Sequence, residues 1–254
     1  MRTRLTWFVL AAVVAVATVL VATSAAAAEY KTKHVFIVVM DGVRWMDTFG
    51  DPQHTHIPHL YNDLRPQGTL FTHYFDRGIT VTRQGHSTTI SGTWQCIPNG
   101  GPRLTMPTLF EVFRDEKHVP PTKAWSVFGK ALYSFLPYSS HPAYGKQFAA
   151  SHVCGDKDTT WNEKDAEGDK GVTAKVIEVM KQDQPDLVFV NWGWTDHAGH
   201  VAKDISEYQA AFRGCDEQMW ALWNAIQADP YYKDPTTVFI TNDHGRHTED
   251  FHGH

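Results

Sequence analysis

Several short apolar runs along the chain have the pattern of strands in a buried sheet. VFIVVM, residues 35–40, is a continuous β-branched run, which predicts a strand buried on both faces. Three later runs, KAWSVFG, LVFVNW and TTVFI, are typical of strands as well, and a brief strand is predicted for TLFTHYF, residues 69–75.

Between these runs the apolar residues recur at helical spacing. Residues 171–182 place Val172, Val176 and Val179 near one face, and residues 107–118 open with a proline suited to a helix start. Helices are also predicted for residues 57–68, 85–92 and 206–228. Alternating strands and helices predict an α/β domain with a mainly parallel central sheet and helices on both faces. In such sheets ligands bind beyond the carboxyl ends of the strands.

The first 28 residues have the layout of a secretory signal peptide. Arg2 and Arg4 precede an apolar run that reaches about Val21, and small residues follow up to Ala28. The alternative is an uncleaved membrane anchor, because the run is nearly long enough to span a bilayer. The alanine-rich end favours cleavage. We therefore expect an exported protein whose mature domain, residues 29–254, is not attached to the membrane.

The composition excludes one class of partner. Hydrophobic residues make up 42% of the chain and charged residues 20%, as in an ordinary globular domain. Without Arg2 and Arg4 the chain keeps 21 Lys and Arg against 28 Asp and Glu, a net charge of −7. Nonspecific nucleic-acid binding needs a basic surface, so it is not expected. The three cysteines match no metal-binding spacing, and the sequence leaves their pairing and the oligomeric state open.

Polar side chains with metal-binding chemistry follow three of the predicted strands. Asp41 follows the first, Asp196 and His200 follow LVFVNW, and Asp243 and His244 follow the last. Each group alone has an ordinary explanation, as a turn, a helix-surface pair or a loop. Together they predict one site at one edge of the sheet, because so many carboxylates and imidazoles need cations between them. Mixed Asp and His ligands suit zinc, manganese or iron, and their number favours two ions.

The segment GITVTRQGHSTTISG, residues 78–92, supplies hydroxyl groups where a helix begins. A hydroxyl at a helix N-terminus, beside a metal ion, is suited to act as a nucleophile. Thr82 is one candidate among several hydroxyl groups, and helix capping is the ordinary alternative for all of them.

These motifs, in this order, resemble the alkaline phosphatase superfamily, and most nearly its nucleotide pyrophosphatase/phosphodiesterase-like branch. The resemblance implies two zinc ions, a covalent phospho-threonine or phospho-serine intermediate and hydrolysis of phosphate esters. Thr82, four residues before His86, matches the nucleophile, and Asp41, Thr82, Asp243 and His244 match the ligands of one ion. The ligands implied for the second ion are Asp196, His200 and one later histidine, for which His254 is preferred to His252 and His247.

The chain departs from the family at two points. It has no C/S-x-P-x-R sequence, which excludes a formylglycine sulfatase, and Gln84-Gly85 stand where the phosphodiesterase-like branch often has Pro-Asn. Relatives in this family usually continue with another strand or two, so we expect the chain to end within its domain. Asn99 and Arg83 are candidates for binding the phosphate, against the alternatives of a turn residue and a solvent-facing cation.

The sequence thus predicts an exported hydrolase of small phosphate esters that uses two divalent ions, zinc or manganese. One rival is a metal-dependent phosphomutase, which the signal peptide disfavours. Another is a metal-binding protein on the same fold without catalysis, which the intact Thr82 disfavours. Monoester and diester substrates are not distinguished.

Overall fold

Five parallel strands form the central sheet of the computed structural model, which describes residues 30–75, 78–155 and 161–253. The strands are β1 (His34–Met40), β2 (Ala124–Phe128), β3 (Ser151–Cys154), β4 (Leu187–Trp192) and β5 (Thr236–Thr241). Their spatial order is β3-β2-β4-β1-β5, and every neighbouring pair is parallel. The predicted α/β class with a mainly parallel sheet is confirmed.

Helices connect the strands, as parallel pairing requires. The α-helices are α1 (Thr82–Ser91), α2 (Leu109–Lys117), α3 (Ala166–Gln182), α4 (Trp194–Val201) and α5 (Ile205–Ala228). The predicted helix at residues 57–68 is a π-helical turn, His59–Leu64, followed by a 3₁₀ turn, Arg65–Gln67. Short 3₁₀ helices also occur at Trp45–Asp47, Pro121–Lys123, Ala131–Phe135 and Gly145–Phe148.

The side chains of β1 alternate between two separate hydrophobic cores, which explains its continuous apolar sequence. Phe36 and Val38 pack with residues of α3 and α5 on one face of the sheet. Ile37 and Val39 pack with residues of α1 and α2 on the other face. Because both faces are covered by helices, β1 and its neighbour β4 lie at the centre of the molecule, and the groups that follow them are held by a rigid frame.

One predicted strand was wrong, and one strand was missed. Residues 69–75 form turns and irregular structure, pair with no strand in the described part of the chain, and expose Phe71 and Phe75. A segment with an alternating aromatic pattern forms a strand only where a neighbouring strand provides partners for its backbone hydrogen bonds. The short strand β3 was missed, because a four-residue strand beside β2 needs few apolar residues.

The other edge of the sheet is formed by β5, which pairs with β1 on one side. No strand covers its other side in the ranges that the structure describes. Phe239 and Ile240 are correspondingly exposed, at 55% and 36%. Among the described residues this edge strand therefore presents one exposed apolar side chain on each of its two faces.

The predicted signal peptide lies outside the described residues. From Lys33 onward the chain forms one compact unit, and that unit is the subject of all the following description. Among the described residues, none of the helices combines the length and the apolar character needed to cross a membrane.

Replacing Phe189 by alanine should destabilise the protein by about 3–5 kcal/mol, because the ring is fully buried in β4 and its loss leaves a cavity. Phe239→Ala is the matched control, since the same change on the exposed edge strand should alter stability by about 0.5 kcal/mol or less. Urea unfolding followed by circular dichroism measures both. Equal destabilisation by the two variants would contradict the assignment of β4 to the centre of the sheet.

Candidate active site

The loops that follow β1, β4 and β5 meet at one edge of the sheet and bring together four buried side chains. Asp41, Asp196, Asp243 and His244, here called the carboxylate cluster, are each at most 3% exposed. Ligand atoms of Asp41, Asp196 and His244 lie within 4.8 Å of one another. The same limit holds for Asp41, His86 and Asp243. The structure thus places together the residues that the sequence assigned to three separate strand ends.

His244 lies at the centre of the carboxylate cluster. Its Nδ1 is 2.9 Å from the carbonyl oxygen of Gly245, and since a carbonyl only accepts, Nδ1 carries the hydrogen. Nε2 is 3.4 Å from Asp41 Oδ1, from Asp243 Oδ2 and from the Thr82 hydroxyl oxygen. This tautomer directs the Nε2 lone pair of the neutral imidazole toward two carboxylates and a hydroxyl group, the arrangement of a metal ligand set.

The donor atoms around Nε2 fit a divalent cation. Asp41 Oδ1 is buried and accepts no hydrogen bond of ordinary geometry from the described residues, and the buried Asp243 Oδ2 has only the ring nitrogen Nδ1 of His86 at hydrogen-bond distance, 3.0 Å. Buried carboxylate oxygens with incomplete hydrogen bonding are costly unless they are paired or coordinate a metal. Asp41, Asp243, His244 and Thr82, the ligands that the resemblance implies for one ion, offer oxygen and nitrogen donors only, and their role as its ligands stays a prediction.

The electrostatics of the metal-free protein show the same need for positive charge. Burial, together with the charges of Asp243 and Asp196, raises the pKa of Asp41 to about 7. Burial lowers the pKa of His244, but the surrounding carboxylates outweigh it and raise the pKa to about 10. Without an ion, a proton on His244 thus balances the carboxylates, and metal binding must displace it.

Helix α1 starts at Thr82 and places the threonine hydroxyl against this ligand set. The close approach depends on Gly85, where a Cβ atom would lie 2.2 Å from the carbonyl oxygen of Asp243. Gly42 makes a similar contribution after β1, with φ at +68° and its N–H donating to Asp243 Oδ1 at 3.1 Å. The two glycines let three backbone segments meet without side chains between them.

His86 orients the carboxylates of the site. Asn191 Nδ2 donates to His86 Nε2 at 2.9 Å, so the ring hydrogen of His86 is on Nδ1. His86 Nδ1 lies 2.8 Å from the carbonyl oxygen of Thr82 and 3.0 Å from Asp243 Oδ2. Asn191 Nδ2 also donates to Asp41 Oδ2 at 3.3 Å. Both ring nitrogens have partners in the protein, so His86 acts as a positioning residue. The sequence used it only to locate Thr82.

The two predicted phosphate-binding residues have different surroundings. Asn99 Oδ1 accepts the backbone N–H of Arg83 at 3.0 Å, which places the asparagine amide beside the start of α1. The Arg83 guanidinium donates to Pro102 O at 2.8 Å and lies 4.1 Å from the centre of the Phe135 ring. The structure brings Asn99 next to Thr82, whereas it directs the Arg83 side chain into the loop after α1.

The donors predicted for a second ion do not fit a cation as well. Asp196 accepts hydrogen bonds from Arg246, and Lys130 Nζ lies 3.7 Å from its other carboxylate oxygen. His200 Nε2 is 3.5 Å from Asp196 Oδ1, and its side chain is 43% exposed. The carboxylate of Asp196 thus already faces two permanent positive charges.

Of the three later histidines that the resemblance offers to that second ion, two lie within the described residues. His254 lies outside the described residues. His252 Nε2 is 2.9 Å from Ala202 O, and its Nδ1 is 3.1 Å from Asp250 Oδ1. His247 is exposed on the same loop.

Sequence reasoning missed several residues near the site, among them Tyr133, Lys130, Glu163 and Arg246. The Tyr133 hydroxyl donates to Asp41 Oδ2. Lys130 Nζ pairs with Glu163 at 3.1 Å, and burial raises the pKa of Glu163 to about 7 despite that pair. Lys130 does follow strand β2 at the same edge of the sheet, and this placement was the one available signal. Nothing in the local sequence marks Tyr133 or Glu163.

Comparison with known proteins supports the resemblance derived from the motifs. The family model described as the Metalloenzyme superfamily matches residues 140–254, the part that contains Asp196, His200, Asp243 and His244. No curated protein sequence matches the chain.

Solved structures share the fold at low sequence identity. A protein of the alkaline phosphatase superfamily from Vibrio parahaemolyticus has a TM-score of 0.60 and 14% identity, over 88% of this chain and 58% of that one. A 2-O GAG sulfatase has a TM-score of 0.61 and 12% identity, over 87% of this chain and 59% of that one. Murine ectonucleotide pyrophosphatase/phosphodiesterase 5 has a TM-score of 0.55 and 16% identity, over 85% of this chain and 59% of that one.

The chain therefore shares the fold of these structures, and the resemblance to the alkaline phosphatase superfamily is confirmed at the level of the fold. It spans under two thirds of the length of these structures. They come from both phosphodiesterase and sulfatase branches, so they establish the shared fold rather than one activity.

Gly85→Ala should weaken metal binding by at least about tenfold, because the new methyl group would collide with the backbone of Asp243. Gly245→Ala is the matched control in the neighbouring loop, where a Cβ atom would meet nothing within 4 Å. Isothermal titration with Zn²⁺ and Mn²⁺ measures both variants. Unchanged affinity in Gly85→Ala would show that α1 and the β5 loop do not need this close contact.

A second prediction concerns Asp169, whose Oδ1 accepts the N–H groups of Gly193 at 3.0 Å and Trp194 at 3.4 Å and so fixes the start of α4. Burial raises the pKa of its carboxyl from 3.8 to about 7. The folded state binds this proton more tightly than the unfolded state. The corresponding stability is therefore fully present below pH 3.8 and is lost as the pH rises through about 7.

Asp169→Asn removes this titration and keeps an acceptor for both N–H groups. In the presence of a chelator, the stability of the variant relative to wild type should rise by about 1.4 kcal/mol per pH unit between about pH 4 and 7. Asp234→Asn, at an exposed position, should follow wild type at every pH. Urea unfolding across this range gives the comparison, and parallel curves for Asp169→Asn and wild type would contradict the raised pKa.

Proposed function

We propose that this protein is a metal-dependent hydrolase of phosphate esters in which Thr82 is the nucleophile. The observation that carries the proposal is the convergence of Thr82, Asp41 and Asp243 on His244 Nε2, with each ligand atom 3.4 Å away. These four residues would hold a divalent ion. Such an ion lowers the pKa of a nearby hydroxyl group and stabilises negative charge that develops on oxygen.

The protein itself prepares Thr82 for attack. Its hydroxyl lies at the first turn of α1, where the helix dipole favours a negatively charged oxygen. Burial of Thr82 and its neighbours excludes most water from the nucleophile. Asn99 uses its carbonyl oxygen on the Arg83 N–H, so its amide N–H groups remain to donate to a phosphoryl oxygen.

The proposed reaction has two steps at phosphorus. The Thr82 oxygen forms a bond to phosphorus while the bond to the ester oxygen breaks, and the departing alcohol takes up a proton. Water then attacks the phospho-threonine, the bond between phosphorus and Thr82 breaks, and the threonine hydroxyl regains its proton. Preorganised charge around the cluster supplies the stabilisation that a protein general base would otherwise provide.

The substrate and location are part of the proposal. The acidic mature chain favours small phosphate esters over nucleic acids, and the N-terminal pattern favours export. Zinc is the preferred metal and manganese the alternative, since the ligands are oxygen and imidazole nitrogen. The count of two ions stays a prediction from the resemblance.

Thr82→Ala should lower turnover of aryl phosphate monoesters or diesters by at least about a thousandfold, because the variant has no nucleophile. Thr82→Ser is the matched control and should keep measurable activity. Intact-protein mass spectrometry after rapid acid quench should show a phosphorylated wild-type chain and none in Thr82→Ala. Full activity of Thr82→Ala would eliminate this nucleophile, and inactivity of the metal-loaded wild type toward every ester would leave a metal-binding protein without catalysis.

A further inference from the structure

Arg246 binds Asp196, one of the residues that the resemblance implies as ligands of a second ion. Its Nη2 donates to the backbone oxygen of Asp196 at 2.7 Å and also to Asp196 Oδ1. Its Nη1 donates to the carbonyl oxygens of Phe251 at 3.2 Å and His252 at 3.1 Å. One guanidinium group therefore ties the helix that carries Asp196 to the loop that follows His244.

The surrounding chain provides space for this arginine. At Gly199, on α4, a Cβ atom would lie 2.2 Å from Arg246 Nε, so any other residue there would displace the side chain. Arg246 is only 8% exposed, and its guanidinium carbon is 5.9 Å from the centre of the Tyr208 ring. The position is thus enclosed by two elements of the fold and is not a chance surface contact.

Lys130 supplies a second positive charge to the same carboxylate. Its Nζ is 3.7 Å from Asp196 Oδ2 and is held by Glu163 Oε2 at 3.1 Å. Arg246 and Lys130 thus approach different oxygens of Asp196. A divalent ion bound to Asp196 would lie close to both and be repelled by them, and arginine does not lose its proton in proteins.

We infer that Arg246, assisted by Lys130, takes the place of the second divalent ion, so that each chain binds one ion and neutralises Asp196 with a guanidinium group. This inference rests on the proposed function for its meaning, because Arg246 binds the Asp196 oxygen that lies 3.8 Å from His244 Nε2 and so brings a fixed positive charge to the same cluster. It assigns His200 no role as a metal ligand.

The first test is metal stoichiometry, which does not depend on activity. Protein loaded with excess Zn²⁺ or Mn²⁺, freed of unbound metal by gel filtration and measured by elemental mass spectrometry, should retain one equivalent per chain. His200→Ala should also retain one equivalent, whereas Asp243→Asn should retain none.

Any other metal content would contradict the inference, and the amount bound shows whether the proposed function fails with it. Two equivalents in wild type, or loss of an equivalent in His200→Ala, would overturn the inference and leave the proposed hydrolase intact. No bound metal in wild type would overturn both the inference and the metal site of the proposed function.

A second test separates the charge of Arg246 from its packing. Arg246→Gln should keep its one ion but lower kcat by about a hundredfold, the scale of losing one charge-stabilising donor. Arg246→Lys should have a kcat at least about tenfold higher than that of Arg246→Gln, because it restores the positive charge without the guanidinium hydrogen bonds. Arg213→Gln, on the exposed face of α5, is the matched control and should behave as wild type.

Thermal unfolding shows whether each variant is folded. Equal kcat for Arg246→Gln and Arg246→Lys in folded, metal-loaded protein would overturn the role of the positive charge. If Arg246→Gln does not fold, the metal content of wild type and of His200→Ala decides the inference.

Discussion

Three buried carboxylates, those of Asp41, Asp196 and Asp243, face one another where parallel strands end. Like charges at such distances, away from water, require compensation, and the fold provides it in several forms. His244 can hold a proton or an ion at Nε2, and Arg246 and Lys130 bring permanent charge. The glycines, tautomers and loop contacts of the site all serve to bring these opposite charges within a few ångströms of each other.

This compensation is unequal across the site. Asp41 and Asp243 depend on a histidine, whose positive charge can be exchanged for a metal ion. Asp196 depends on an arginine, whose charge cannot be exchanged. One half of the site is thus adjustable by pH and metal supply, while the other half is fixed by the chain.

The fold was predictable from the sequence because β1 and β4 are apolar on both faces, a pattern that only a covered parallel sheet explains. The strand-end rule then located Asp41, Asp196, Asp243 and His244. Side-chain direction was not predictable. The partners of Arg83 and Arg246 depend on distant loops, and no local pattern reveals which carbonyl groups or carboxylates a long side chain will reach.

The open edge of β5 has a consequence for regulation. Asp243 and His244 follow this strand directly, so the position of its last residues sets the position of two members of the carboxylate cluster. An added strand, whether from further chain or from another molecule, would contact the exposed Phe239 there. Pairing of this kind would stiffen the strand from outside. The affinity of the site for a metal ion would then depend on whether a strand is paired with this edge of the sheet, at a distance from any substrate.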